Sequence, residues 1–390
     1  MKRTFLLSFI LLLTHLGYSQ ELDSLSYKQE CEEGKEMISN YQFSQALQKL
    51  LLCENDNTKD IAYCYYKLGQ LKESEQYYLK AIADDSLNIQ THNRLASIYA
   101  QQFDYPKCIS QYKLLVGLDE TNSYYHKQLG IYYQKANFSG QSLIHFQKAH
   151  ALNPQDFTVL MKIGSIYLEL DQLDAAENFI KKGIVLDSTN AKLLMLNAKL
   201  VYQQKDYEQV VSVLNKCLQT QEDTTAYQYK LLGIGAYHTE DYPLAIACLQ
   251  KSLVFQESEV VHYYLGLAYK ESNALYESGK QFEKAISTGI TDHIDTYYTN
   301  LAKVYEANGD YQSSIKAYQT AYSYSKSKVL LYYLARNYDE YYADKQTALD
   351  YYQMYLAQND TGHHKLMEYS QYRVNNLKEL LHFNIDTLDE

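Results

Sequence analysis

One period dominates this chain. A dipeptide ending in Gly or Ala recurs at Leu95-Ala96, Leu129-Gly130 and Ile163-Gly164, 34 residues apart, and continues at Asn197-Ala198. After a one-residue insertion it returns at Leu232-Gly233, Leu265-Gly266, Leu301-Ala302 and Leu334-Ala335. Around Gly130, Gly164 and Gly266 the flanks repeat as well. A tyrosine follows three residues later (Tyr133, Tyr167, Tyr269), then a small residue (Ser142, Ala176, Ser278), a large apolar one (Phe146, Ile180, Phe282) and a second small one (Ala149, Gly183, Ala285). A fixed period of this length marks stacked supersecondary units, none of which buries its apolar face alone. Only three prolines and fifteen glycines occur in 390 residues. Both break helices, so the units are expected to be helical.

The pattern L-G-x2-Y, then A-x3-F, then a proline between units, here Pro154, resembles the tetratricopeptide repeat family. The resemblance covers nearly everything after residue 26. It implies an all-α fold, a right-handed superhelical α-solenoid of about nine helix-turn-helix repeats over residues 27–360, with a capping helix and tail over 361–390. Turn signals separate the two helices of each unit at Phe103-Asp104-Tyr105, Lys205-Asp206-Tyr207, Glu240-Asp241-Tyr242 and Asn308-Gly309-Asp310-Tyr311; Gly or Asp is expected to end the first helix there. The first hairpin, roughly 27–54, is degenerate but keeps Gly34, Phe43 and Ala46, and the second keeps Gly69, Ser74, Tyr78 and Ala81. The last carries one extra residue before Ala348, Tyr352 and Tyr355. Beyond it, Leu366, Tyr369, Tyr372, Leu377 and Leu380 recur at helical spacing, as a cap needs. Asp85-Ser86, Asp187-Ser188 and Asp223-Thr224 at the junctions read as helix N-caps.

The N-terminus has a different character. Lys2 and Arg3 precede an apolar run from Phe5 to Leu13, and Gly17-Tyr18-Ser19 supplies small residues before Gln20. Residues 1–19 therefore read as a secretory signal peptide and 20–26 as a short leading segment. The run is too short for a spanning helix. The expectation is an exported protein, periplasmic or secreted, with no membrane span once the signal is cleaved. Formal net charge is −11. A chain this acidic is a poor general ligand for nucleic acid, which needs Lys and Arg to displace counterions.

Tyrosine is abundant, with 43 residues and no tryptophan. Tyr99, Tyr133, Tyr167, Tyr269, Tyr305 and Tyr338 fall on the family's core positions. In the doublets Tyr124-Tyr125, Tyr263-Tyr264, Tyr297-Tyr298 and Tyr332-Tyr333 the side chains stand about 100° apart on a helix, so both members are rarely core. The resemblance implies that positions 2, 5, 9 and 12 of each first helix line a concave groove. That register places Tyr124, Tyr227, Tyr263 and Tyr332 there, with Tyr202 and Tyr237 beside them. It also turns Lys127, Lys199, Lys230, Lys270, Lys303 and Arg336 inward. Exposed tyrosines are common binding anchors, and a basic lining in an acidic protein suits an acidic or carboxylate-bearing ligand.

The cysteines sort by position. Cys108 and Cys217 fall on small core sites about three repeats apart, beyond the reach of a disulfide, and read as buried thiols. Cys53 ends one helix and Cys64 lies on the next, joined by a short loop; they form the candidate disulfide. His92, His126 and His262 share the fourth position of the repeat, where packing is the natural role. No paired CxxC, HExxH, P-loop or GxSxG motif is present, so neither a metal nor a cofactor nor catalytic residues are expected. The function this implies is a non-catalytic interaction scaffold of the bacterial cell envelope that binds a peptide or protein in the groove. The alternatives are a structural spacer or assembly subunit of an envelope complex, or a non-catalytic subunit of an exported enzyme or glycan-binding system.

Overall fold

A computed structural model describes residues 28–220, 224–289, 291–343, 345–358 and 362–386. The expected signal peptide (1–19) and leading segment (20–26) lie outside the described residues. Among the described residues every regular element is helical. They pair into ten hairpins, the degenerate first one included. The chain divides into two compact units, Met1–Leu186 and Asp187–Glu390. In the first unit the hairpins are 28–39 with Phe43–Leu50, Thr58–Lys67 with Leu71–Asp84, Ile89–Gln101 with Tyr105–Leu118, Ser123–Lys135 with Ser139–Leu152, and Phe157–Glu169 with Leu173–Leu186. In the second they are Ala191–Gln203 with Tyr207–Thr220, Ala226–His238 with Tyr242–Phe255, Glu259–Glu271 with Leu275–Thr288, Ile294–Ala307 with Tyr311–Ser325, and Lys328–Tyr341 with Gln346–Ala357. A last helix, His364–Asp386, follows.

The recurring Gly or Ala is where the two helices of a hairpin touch. A Cβ on Gly130 would lie 2.6 Å from Phe146, one on Gly233 2.6 Å from Leu249, and one on Gly266 2.9 Å from Phe282. In each hairpin the large side chain of the second helix lies against the helix backbone of the first, which only a small residue permits. Phe146, Phe282 and Leu249 are completely buried there. Where the small residue on the second helix is a serine, it adds a hydrogen bond. Ser74, Ser142, Ser278 and Ser314 donate Oγ–H to the backbone carbonyls of Ala62, Gly130, Gly266 and Ala302 at 2.7, 2.7, 2.8 and 2.9 Å. Each serine stands twelve residues after its acceptor, so one sequence spacing fixes both the close approach and the polar tie within a hairpin.

Neighbouring hairpins are joined by the tyrosine of the repeat. Gln147, Gln250 and Gln319 on second helices donate to the hydroxyls of Tyr167, Tyr269 and Tyr338 on the following first helices, at 2.9, 2.8 and 3.0 Å. Tyr305 instead donates to Glu283 at 2.8 Å. The repeat's histidine does the same work inside a hairpin: His92 meets Gln111 and His262 meets Gln281, both at 2.7 Å, and in the fourth hairpin His126 meets His145 at 3.1 Å.

The turns correct one expectation. The residue before each Asp is left-handed, with φ of 60° at Phe103, 60° at Lys205 and 62° at Glu240, and Gly69 and Gly309 hold the equivalent place at 75° and 74°. The Asp itself caps the second helix: Asp104, Asp206, Asp241 and Asp310 accept from the backbone N–H three residues on. At the junctions, Asn88, Asp156, Asn190 and Thr225 cap the first helices. Asp85 and Asp187, expected as caps, lie three residues too early. Asp187 accepts from Thr189 N–H in a local turn, and Asp85 accepts from the Asn88 amide; Asp223 lies outside the described residues.

The cysteine pairing is also corrected. Cys53 bonds to Cys31, with Cα atoms 6.1 Å apart, and Cys64 is a free buried thiol. The chain breaks from α-helical geometry in the 3-10 segment Leu51–Asp56, where Cys53 has φ −125° and ψ 49°. That break turns Cys53 back toward its own hairpin, while Cys64 packs with Ala46, Leu50 and Ile61. Cys108, Cys217 and Cys248 are buried thiols as well. Burial lifts the Cys64 and Cys108 thiols to about 11 and about 12, so both stay protonated and unreactive. At the C-terminus, Val374 and Leu377 of the last helix close the tenth hairpin against Leu331, Ala335 and Tyr352, and Arg373 makes a two-pronged bond to Asp339 at 2.8 and 2.9 Å.

Candidate functional site

The expected groove residues separate into three groups. Tyr332 is not a groove residue: it is 6% exposed, with Tyr352, Tyr355 and Tyr369 around it. The last helix, which supplies Tyr369, lies outside the repeat register and covers it. Tyr263 is half-buried and stacks on Tyr297 with ring centres 5.0 Å apart. Tyr202 and Tyr237 are half-buried too, packed against the core clusters that include Val210 and Ala236 respectively. Both members of the doublets at 263, 297 and 332 thus pack against protein; only at Tyr124-Tyr125 does the outer ring stand clearly in solvent, with Tyr124 47% exposed.

Several expected cations carry acidic partners within their unit. Lys127 bonds Asp156 at 2.7 Å, Lys270 meets Glu271 at 3.0 Å, and Arg336 is held by Glu306. Lys303 lies between the last two. Burial pushes its ammonium below the usual lysine range, Lys270 and Arg336 push the same way, and Glu306 partly offsets them. Lys270, Lys303 and Arg336 are therefore brought together, but with carboxylates interleaved.

The third group converges on one ring. Tyr227, on the first helix of the seventh hairpin, is 39% exposed. The ammonium of Lys199 lies 5.4 Å and that of Lys230 5.1 Å from its ring centre. No ion pair to either lysine is present among the described residues. A cavity of about 310 Å³ opens on one side of the ring, lined by Lys192, Met195, Lys199 and Gln228. A smaller one of about 120 Å³ opens beside it, lined by Lys230, Ser252, Gln256, Glu257 and Ser258. Local sequence explains the placement. The reciprocal capping box of Thr225 and Gln228 starts the helix immediately before Tyr227, and Asn190 caps the helix that carries Lys192 and Lys199. A cation over an aromatic face is favourable and holds the ring in place. The result is an apolar surface flanked by three ammonium groups, able to hold a side chain next to carboxylates.

The sequence register named Tyr227, Lys199 and Lys230 but not Lys192 and Met195, which line the same cavity as Tyr227 and Lys199. These two occupy positions 2 and 5 of their helix, the same register that selected the others, so the signal was present. Among the described residues no group of His, Cys, Asp and Glu is arranged to hold a metal ion, and no helix is long and apolar enough to cross a membrane.

The tetratricopeptide repeat family model matches residues 60–83, 157–190 and 295–328. No curated protein matches the chain. Similar solved structures include a tetratricopeptide repeat protein from Parabacteroides merdae, 16% identical over 64% of this chain and 97% of that one, with a TM-score of 0.46. Another is YrrB, described as a TPR protein with an unusual peptide-binding site, 18% identical over 47% of this chain and 94% of that one, with a TM-score of 0.43. A third is PilW, a type IV pilus biogenesis factor, 17% identical over 58% of this chain and 98% of that one, with a TM-score of 0.44. With three matched stretches, and with the same small-residue contacts, serine ties and tyrosine links recurring between and beyond them, the chain carries tetratricopeptide repeats.

Proposed function

We propose that this protein is a non-catalytic interaction scaffold that binds an acidic peptide or protein segment around Tyr227. The observation that carries the reading is the half-exposed ring of Tyr227 with Lys199 and Lys230 over it and open cavities beside it. Tyrosine offers a large contact area at low entropic cost, and flanking ammonium groups steer an acidic partner toward it. We place the protein in the cell envelope, outside the cytoplasm. The signal-like pattern of residues 1–19 supports that location, and so does the Cys31–Cys53 bridge, which persists in oxidising compartments.

The test is fluorescence anisotropy with a labelled peptide of alternating Glu and Tyr. Tyr227→Ala combined with Lys230→Glu is expected to weaken binding roughly 10- to 100-fold, the range for loss of one aromatic anchor and one cation. Unchanged affinity in that variant, with circular dichroism showing it folded, removes the site from consideration.

A further inference from the structure

A third cavity lies in the first unit and is lined without Tyr227. It measures about 640 Å³ and opens between the second and third hairpins. Its walls include the aromatic rings of Tyr63 and Tyr78, with Asn57, Asp60 and Arg94 supplying polar groups. Three facts about those polar groups stand out. Asn57 is 2% exposed; its amide donates to the Cys53 carbonyl at 2.9 Å, but its Oδ1 has no hydrogen-bond partner. The half-buried carboxylate of Asp60 has neither an ion pair nor a hydrogen bond among the described residues. Arg94 is likewise half-buried and in no ion pair among the described residues. Its guanidinium is laid over Tyr63, 4.9 Å from the ring centre, and lies 5.8 Å from that of Tyr66.

Opposite charges that line one cavity without pairing are unusual. Each gives up part of its hydration and receives no ion pair in return. Burial lifts the Asp60 carboxyl above its ordinary range, and Lys35 only partly offsets this. The Asn57 oxygen adds a buried acceptor that lacks a donor, which native proteins seldom leave so. These polar groups ask for different things. Asn57 and Asp60 call for a cationic N–H donor, and Arg94 calls for an anion with two acceptor oxygens, for which its planar fork is suited. The tyrosine rings of the lining offer apolar contact.

We infer that this cavity is a binding site for a small zwitterion of the amino-acid or short-peptide class. Its ammonium would be held by Asn57 and Asp60, and its carboxylate by Arg94. The ligand is recognised through its two free ends rather than through a sequence motif, which sets it apart from a segment within a longer partner.

The test is isothermal titration calorimetry of the full chain with trialanine, N-acetyl-trialanine and trialanine amide, each up to about 10 mM, the range of weak specific binding. Free trialanine is expected to bind, and blocking either end is expected to weaken binding at least about 10-fold, the scale of one charge-assisted hydrogen bond. Asp60→Asn should abolish discrimination against the acetylated peptide and Arg94→Gln discrimination against the amide, with circular dichroism confirming that both variants fold. Equal binding of the three peptides overturns the inference, and so does the absence of any heat from free trialanine. Because Tyr227 lies in the other unit, Tyr227→Ala with Lys230→Glu should leave trialanine binding unchanged; its loss there would also count against this site.

Discussion

Replacing Gly130 by Ala puts the hairpin geometry to a quantitative test. The new Cβ would sit 2.6 and 2.7 Å from Cδ1 and Cε1 of Phe146, which is completely buried. Carbon atoms rest at about 3.5–4.0 Å, so the ring or the helix must retreat by about 1 Å. Such overpacking costs about 1–3 kcal/mol, while Ala gains about 1 kcal/mol over Gly in helix propensity. The net expectation is a loss of about 1 kcal/mol. Gly140, with no atom within 4 Å of an added Cβ, is the control, and Gly140→Ala should be neutral or stabilising. The sixth hairpin already carries Ala198 and Leu214 in the equivalent places, both fully buried. Adding Phe146→Leu to Gly130→Ala should therefore recover stability, with a favourable coupling of about 1 kcal/mol in a double-mutant cycle. Urea unfolding followed by circular dichroism gives the totals. Hydrogen exchange over Ser123–Leu152 localises the effect, since repeat arrays need not unfold in one step. If Gly130→Ala stabilises as much as Gly140→Ala, the helices do not approach as described and the reasoning fails.

Two further outcomes follow from the first unit. Burial, with His126 beside it, lowers the His145 imidazole to about 4. The unfolded chain binds that proton near pH 6.5 and the folded chain only near 4, so stability is full above about 6.5 and falls as pH drops toward 4. His145→Gln, the residue used in the third and eighth hairpins at Gln111 and Gln281, should flatten that fall in melts taken across pH 4–7. The Cys31–Cys53 bridge closes a loop of sequence separation 22, which restricts the unfolded chain by about 3 kcal/mol. Cys31→Ser should lower the protection of the first hairpin in hydrogen exchange, and a variant as protected as the parent would deny the bridge a stabilising role.

The repeat could be read from sequence because one spacing serves several contacts at once. The interval from Gly130 to Ser142 to Phe146 encodes a hydrogen bond and a close approach, so any hairpin that keeps it declares its packing. What could not be read involved partners outside that register. Tyr332 was assigned to the groove by its helix position, but the last helix, which is not a repeat, brings Tyr369 over it. Lys127 and Arg336 were assigned to a basic lining, yet Asp156 and Glu306 on the adjacent hairpins neutralise them, and a single-helix register carries no information about those neighbours. Cys53 was paired with the nearest cysteine in the chain. The backbone break in its 3-10 segment redirected it to Cys31, and a break of that kind leaves no periodic trace. Tyr227 and its flanking lysines come together because all three follow the same register, on its own and the preceding hairpin.

A charge swap at Tyr227 tests the proposed function most directly. Lys199→Glu with Lys230→Glu leaves the ring and cavities in place and inverts the charge beside them. With peptides matched in every residue except Glu for Lys, the parent protein should prefer the acidic peptide, more strongly at low salt than at high, and the double variant should prefer the basic one. A variant that keeps the parent's preference would contradict the assignment of this groove as the place where a partner is held.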